Sequence, residues 1–125
     1  MLTVGILRKA IEEAEKSSYR FKIGCVIFKG SRIISSGHNE IRSCSKILDK
    51  YKKYKNALHA EQAAIIKTDW RKLNGCSILT VKISGNMGYL GISKPCNMCY
   101  EFIKHVGIKE MYYTNEHGEI IHEKI

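Results

Sequence analysis

His59-Ala60-Glu61 and Pro95-Cys96-Asn97-Met98-Cys99 are the two stretches on which the reading of this chain turns. Each opens a segment with helical patterning. Ala60, Ala63, Ala64 and Ile65 give apolar surface to a second helix expected from Ala57 to about Lys72, and Asn74-Gly75 ends it. Pro95 is expected to open a third helix, where its missing N–H costs nothing, and Gly107 to close it. Working outward, Thr3 is a cap for a first helix to about Lys16, with Leu7, Ala10, Ile11 and Ala14 on one stripe. Phe21–Phe28 and Arg32–Gly37 read as strands joined by the turn Lys29-Gly30-Ser31. Cys76–Ile83 reads as a third strand, Ile108–Thr114 as a fourth and Glu119–Ile125 as a fifth, the last two joined by the turn Asn115-Glu116-His117-Gly118.

The order is α-β-β-α-β-α-β-β. Two helical crossovers require the second, third and fourth strands to run parallel. Both later helices then start at one edge of the sheet, the edge at which open α/β sheets bind ligands. The turn before the last strand is too short for a crossover, which makes strand 5 antiparallel to strand 4. No repeat or linker interrupts the pattern, so residues 1–125 read as a single domain.

Composition agrees. Hydrophobic residues make up 44% and charged residues 26%, a folded chain and not a disordered one. No apolar run approaches the roughly 20 residues of a membrane span. The segment Met1 to Lys9 lacks the layout of a secretory signal. Five cysteines, an odd number, argue against a closed disulfide framework and for a reducing, cytoplasmic setting. A net charge of +9 favours phosphorylated or polyanionic partners without choosing between them.

The two helix starts carry metal-ligand residue types. Cys96 and Cys99, at i and i+3, share a face of one helical turn, and a helix N-terminus favours their thiolates. With His59 they make a Cys₂His set, which leaves a fourth tetrahedral position open, as in catalytic zinc sites. A Cys-x-x-Cys pair alone is shared with redox motifs; its union with His-x-Glu in this topology is what points to zinc.

On these residues the chain resembles the zinc-dependent cytidine/deoxycytidylate deaminase family, within the wider group of nucleoside, nucleotide and nucleic-acid deaminases. Ile23-Gly24-Cys25-Val26-Ile27, Ser36-Gly37-His38-Asn39 and Gly107–Tyr113 are similar to further family segments. The resemblance implies a three-layer α/β/α cytidine deaminase-like fold with a five-stranded mixed sheet. It implies hydrolytic conversion of an exocyclic amine to a carbonyl, with ammonia released. Zinc held by His59, Cys96 and Cys99 would activate water, and Glu61 would move the protons. Asn39 and Ala60 are the substrate contacts implied, Asn39 at the sugar. A homo-oligomer is implied as well.

Substrate signals diverge. His59, where free-cytidine deaminases usually have Cys, is more like the deoxycytidylate, tRNA-adenosine and polynucleotide groups, whereas an antiparallel last strand is like the free-cytidine group. The stretch Val81–Lys94 before Pro95 departs from many relatives and reads as a short hairpin or flap. A cytosine nucleoside or nucleotide is the leading substrate. The alternatives are cytosine in single-stranded DNA or RNA, adenine in tRNA, and a catalytically silent zinc domain that binds nucleic acid. The run from Lys46 to Lys55, five lysines with Tyr51 and Tyr54, reads as a strand-binding patch or as a solvated helix face. Cys25 and Cys76 read as buried small hydrophobes; His38 with Cys44 is a weaker second metal pair.

Overall fold

The structure, a computed structural model, describes residues 2–18, 21–40, 59–84 and 89–125. The lysine run, Cys44 and the expected helical residues Ala57 and Leu58 lie outside them. Helices α1 (Val4–Glu15), α2 (Ala60–Ile66) and α3 (Asn97–His105) accompany strands β1 (Lys22–Lys29), β2 (Arg32–His38), β3 (Ser77–Ser84), β4 (Tyr89–Gly91), β5 (Glu110–Thr114) and β6 (Ile120–Lys124). Among the described residues these strands form one mixed sheet in the order β2-β1-β3-β5-β6. None of the described helices is long and apolar enough to cross a membrane.

The strand period builds two cores. Cys25 and Ile27 of β1, Ile78 of β3, and Met111 and Tyr113 of β5 face α2 and α3. Their neighbours Val26, Phe28, Leu79, Val81 and Tyr112 face α1, where Ile6, Ala10 and Ala14 fill the layer. The three-layer expectation is met. Thr3 caps α1, its Oγ1 accepting from the Ile6 N–H at 3.2 Å.

β1 pairs antiparallel with both β2 and β3, and β3 pairs parallel with β5. Hence β2, β3 and β5 share one direction, as two crossovers demand. β6 pairs antiparallel with β5 from Glu110↔Lys124 to Thr114↔Ile120, as the short turn requires. Gly118 takes a φ of +76° in that turn.

Three details differ from the sequence expectation. The sheet gains a sixth strand, because Tyr89–Gly91 folds back on β3 at Lys82–Ser84 beyond the stretch that β5 occupies. Of the hairpin and the flap expected before Pro95, this antiparallel pairing is that of the hairpin. Helix α2 ends at Ile66, not near Lys72. The Asp69 carboxylate accepts from the Arg71 N–H at 3.0 Å and starts a separate 3-10 turn, Trp70–Lys72. Helix α3 begins at Asn97, with Cys96 extended as its N-cap and Pro95 one residue before it. Gly107 closes α3 as expected, with φ +91°.

Candidate active site and metal centre

Helix α2 lies on β2 at close range. Gly37 leaves room for the backbone of Ala63 and Ala64, the Ser35 hydroxyl donates to the Ala64 carbonyl at 2.7 Å, and Lys67 Nζ donates to the Ser36 carbonyl at 3.1 Å. These contacts fix the helix whose first turn carries His59 and Glu61. Helix α3 is fixed by Phe102 and Ile103 in the same core.

His59 and Cys96 are both N-cap residues, each in extended backbone before its helix. Their carbonyls accept the first helical bonds, from the Ala63 N–H at 2.9 Å and the Tyr100 N–H at 2.8 Å. The His59 N–H donates to Gln62 Oε1 at 3.1 Å, which ties the cap down. The parallel strands thus bring two helix N-termini together.

One ligand atom each from His59, Cys96 and Cys99 lies within 4.8 Å of the others, and His59 Nδ1 is 3.1 Å from Cys99 Sγ. Zn–S distances of about 2.3 Å and Zn–N distances of about 2.0–2.1 Å, at tetrahedral angles, place such atoms about 3.6–3.8 Å apart. Spacing and the soft S₂N donor set both fit zinc, and the three residues could hold it. The Cys96 thiol is brought down to about 3 by hydrogen bonds from Cys99 and His59, despite partial burial. The Cys99 thiol is pushed well up by its bond to Cys96 and by burial.

Glu61 is 4% exposed. Burial raises its carboxyl above the ordinary range, against the pull of His59 and a hydrogen bond with Cys99. A buried carboxyl touching the ligand cluster is placed to carry protons there. Ala60 is buried beside it. The Asn39 side chain is engaged at the start of β1: Oδ1 accepts from the Ile23 N–H at 3.0 Å and Nδ2 donates to the Phe21 carbonyl at 2.7 Å.

His38 is held between two carboxylates, Glu13 at 3.1 Å from Nδ1 and Glu40 at 3.2 Å from Nε2. The sequence signal for this cluster was Glu13 itself, a charge three residues beyond Ala10 on the helix stripe that faces the sheet. Cys25 and Cys76 are buried, as expected.

The family model for the cytidine and deoxycytidylate deaminase zinc-binding region matches residues 4–115. The chain is 30% identical, over 100 residues, to a tRNA-specific adenosine deaminase of Streptococcus pyogenes serotype M18 (strain MGAS8232). That match covers 74% of this chain and 50% of the relative, so the chain spans about half the length of the curated relative it matches. The fold is similar to that of the dCMP deaminase from cyanophage S-TIM5, with a TM-score of 0.57 and 24% identity over 92% of this chain and 86% of that one. It is similar also to a mutant cytidine deaminase from Mycobacterium tuberculosis, with a TM-score of 0.59 and 17% identity over 87% and 81% of the two chains. At these identities the structural likeness speaks for the fold alone.

Proposed function

Because the chain belongs to the cytidine and deoxycytidylate deaminase zinc-binding family, we propose that it is a hydrolytic deaminase acting on the cytosine of a nucleoside or nucleotide. The observation that carries the reading is the Cys₂His cluster with a buried carboxyl against it. His59, Cys96 and Cys99 are assigned to one zinc ion. Zinc bound there would supply Lewis-acid activation of a water molecule, lowering its pKa towards about 7.

The remaining work falls to the chain. Glu61 accepts the proton of the attacking water, passes it to the pyrimidine ring nitrogen, and returns a proton to the departing amine. The C–N bond is exchanged for a carbonyl, one water is consumed and ammonia leaves. A carboxyl raised by burial suits this work, because it must both take and release a proton near neutrality. Asn39, after its two side-chain bonds to backbone, retains one Nδ2–H, which we assign to the substrate sugar. Ala60, buried in the first turn of α2, is assigned to the base pocket.

Ammonia release from cytidine, deoxycytidine and dCMP by the zinc-loaded chain tests the reading. Glu61→Gln should retain zinc and lose at least about 10²–10⁴-fold in turnover. Near-normal turnover in the zinc-replete variant would refute the role given to Glu61. A second reading, deamination of adenine in tRNA, is favoured by the 30% identity to the streptococcal enzyme. Inosine formation in a tRNA substrate, with no turnover of cytosine compounds, would select it.

A further inference from the structure

The opposite edge of the sheet carries a second built surface. β2 runs from Arg32 to the active edge, and α2 returns from Ala60 to Ile66 over about 10 Å of helix, with Thr68 just past its end. Where they meet, a cavity of about 510 Å³ is lined by Lys29, Arg32, Arg71, Lys72, Thr68 and Asn74, among others, with no carboxylate in its lining. Arg71 is neutralised by Asp69 at 2.9 Å. Among the described residues no carboxylate makes a salt bridge to Lys29, Arg32 or Lys72, although the charge of Lys72 is felt at Asp69.

The fold keeps these like charges together against their repulsion. Lys29 and Arg32 are cross-strand partners flanking the β1–β2 turn, so their side chains leave the same face of the hairpin. Like charges directly opposite destabilise a hairpin. Both also act on the Cys76 thiol at the head of β3, which burial raises and these two cations pull back. An anion between them would remove the conflict.

Thr68 joins this cavity to a largely apolar groove of about 680 Å³, formed by Ile66, Phe102, Val106 and Trp70 together with the polar Asp69 and His105; the Asp69 carboxylate there is already engaged by Arg71. Trp70 is 69% exposed, a large indole face left in water beside a row of cations. Basic groups next to an exposed aromatic ring match a phosphate next to a base.

We propose that the basic cavity and the apolar groove together bind a nucleotide unit at a second, non-catalytic site, with phosphate against Lys29, Arg32 and Lys72 and the base against Trp70. The ligand chemistry is a phosphorylated sugar bearing a flat base. It is supplied by a free nucleotide or by one residue of a single strand. The site is independent of the deaminase reading, because none of its residues belongs to the Cys₂His cluster or contacts Glu61.

Trp70 is the only tryptophan in the chain, so its fluorescence reports on this groove alone. Thymine has no exocyclic amine, so dTTP and a (dT)₁₂ strand can be titrated into the zinc-loaded protein without turnover. Saturable quenching is expected, and tripolyphosphate should displace the nucleotide. In the double variant Lys29→Gln/Arg32→Gln the Kd should rise at least about tenfold, since two charge-assisted phosphate contacts are lost, while zinc content is retained and the melting temperature does not fall. A strand that binds more than about tenfold tighter than dTTP assigns the site to single-stranded nucleic acid; equal affinities assign it to the free nucleotide. Absence of saturable quenching by both ligands overturns the proposal. So does undiminished quenching in the double variant, which would place binding elsewhere, for instance on the lysine run 46–55.

Discussion

Replacing Gly37 by Ala should damage the metal centre from a distance. A Cβ on Gly37 would lie 2.6 Å from the Ala64 nitrogen and 2.9 Å from both the Ala63 carbonyl carbon and its Cβ. Ordinary contact begins near 3.4 Å, so β2 and α2 must separate by about 0.8 Å. The atoms in the way are helix backbone and cannot rotate aside. Separation also stretches the Ser35–Ala64 and Lys67–Ser36 bonds, at 2.7 and 3.1 Å. Overpacking of this kind costs about 1–3 kcal/mol, which for a chain of this size lowers Tm by on the order of 5–10 °C. The displaced helix begins at His59, whereas Cys96 and Cys99 remain on α3. Zinc affinity should therefore fall by about 10–100-fold, as it does when support for a ligand is lost. Circular dichroism melts of the metal-free protein read the first effect, and competition with a chromophoric chelator reads the second. Gly24→Ala is the control. Its Cβ would meet the Ala10 carbonyl oxygen and the Ala14 nitrogen of α1. That helix carries no ligand, so stability should drop while folded protein keeps its zinc affinity. A Gly37→Ala protein with an unchanged Tm and unchanged zinc affinity would refute the coupling between the β2–α2 contact and the site.

Cys96→Ala should lower zinc to well under one equivalent by metal analysis, while Cys76→Ala, outside the cluster, keeps it; full zinc in Cys96→Ala would remove that residue from the site. The side chain of Glu13 is 4% exposed and its carboxyl stands at about 2: burial would raise it, but hydrogen bonds from Lys16 and His38 and the charges of Lys16 and Lys67 outweigh burial. A depressed carboxyl stabilises the fold above its ordinary value of 4.5 and loses that contribution as pH falls towards 2. The gap between wild type and Glu13→Gln in urea melts should thus shrink from pH 6 to pH 3 by about 1–2 kcal/mol, after discounting for the solvent-exposed lysine ends; a gap independent of pH would contradict it.

Much of this was legible in the sequence because it is local. The Thr3 cap, the alternation from Cys25 to Phe28, Gly107 after α3 and the four-residue turn before β6 each decide structure within a few residues. Features that depend on a competition were not legible. Asp69 can prolong a helix or cap a new turn, and its short carboxylate chose the Arg71 N–H. Pro95 suits the first helical position by its own geometry, yet Cys96 stays extended and the helix starts at Asn97, which puts one sulfur on the cap and the other in the first turn. The short strand Tyr89–Gly91 takes the β3 edge that β5 leaves beyond Thr80, a vacancy created by the length of another strand.

The site itself is two local patterns joined by topology. His-x-Glu and Cys-x-x-Cys are each readable alone, but neither makes a metal centre. Their meeting follows from three strands, β2, β3 and β5, that run one way and feed helices from one edge. Because both helices start there, two sets of unsatisfied N–H groups favour thiolates at the same place. The other ends of those helices come together at the far edge for the same reason. That edge holds the unpaired cations and the exposed indole of Trp70. One crossover geometry therefore builds both surfaces and holds them apart by the length of α2. Occupancy of one should leave the other intact, unless the β2–α2 contact at Gly37 shifts.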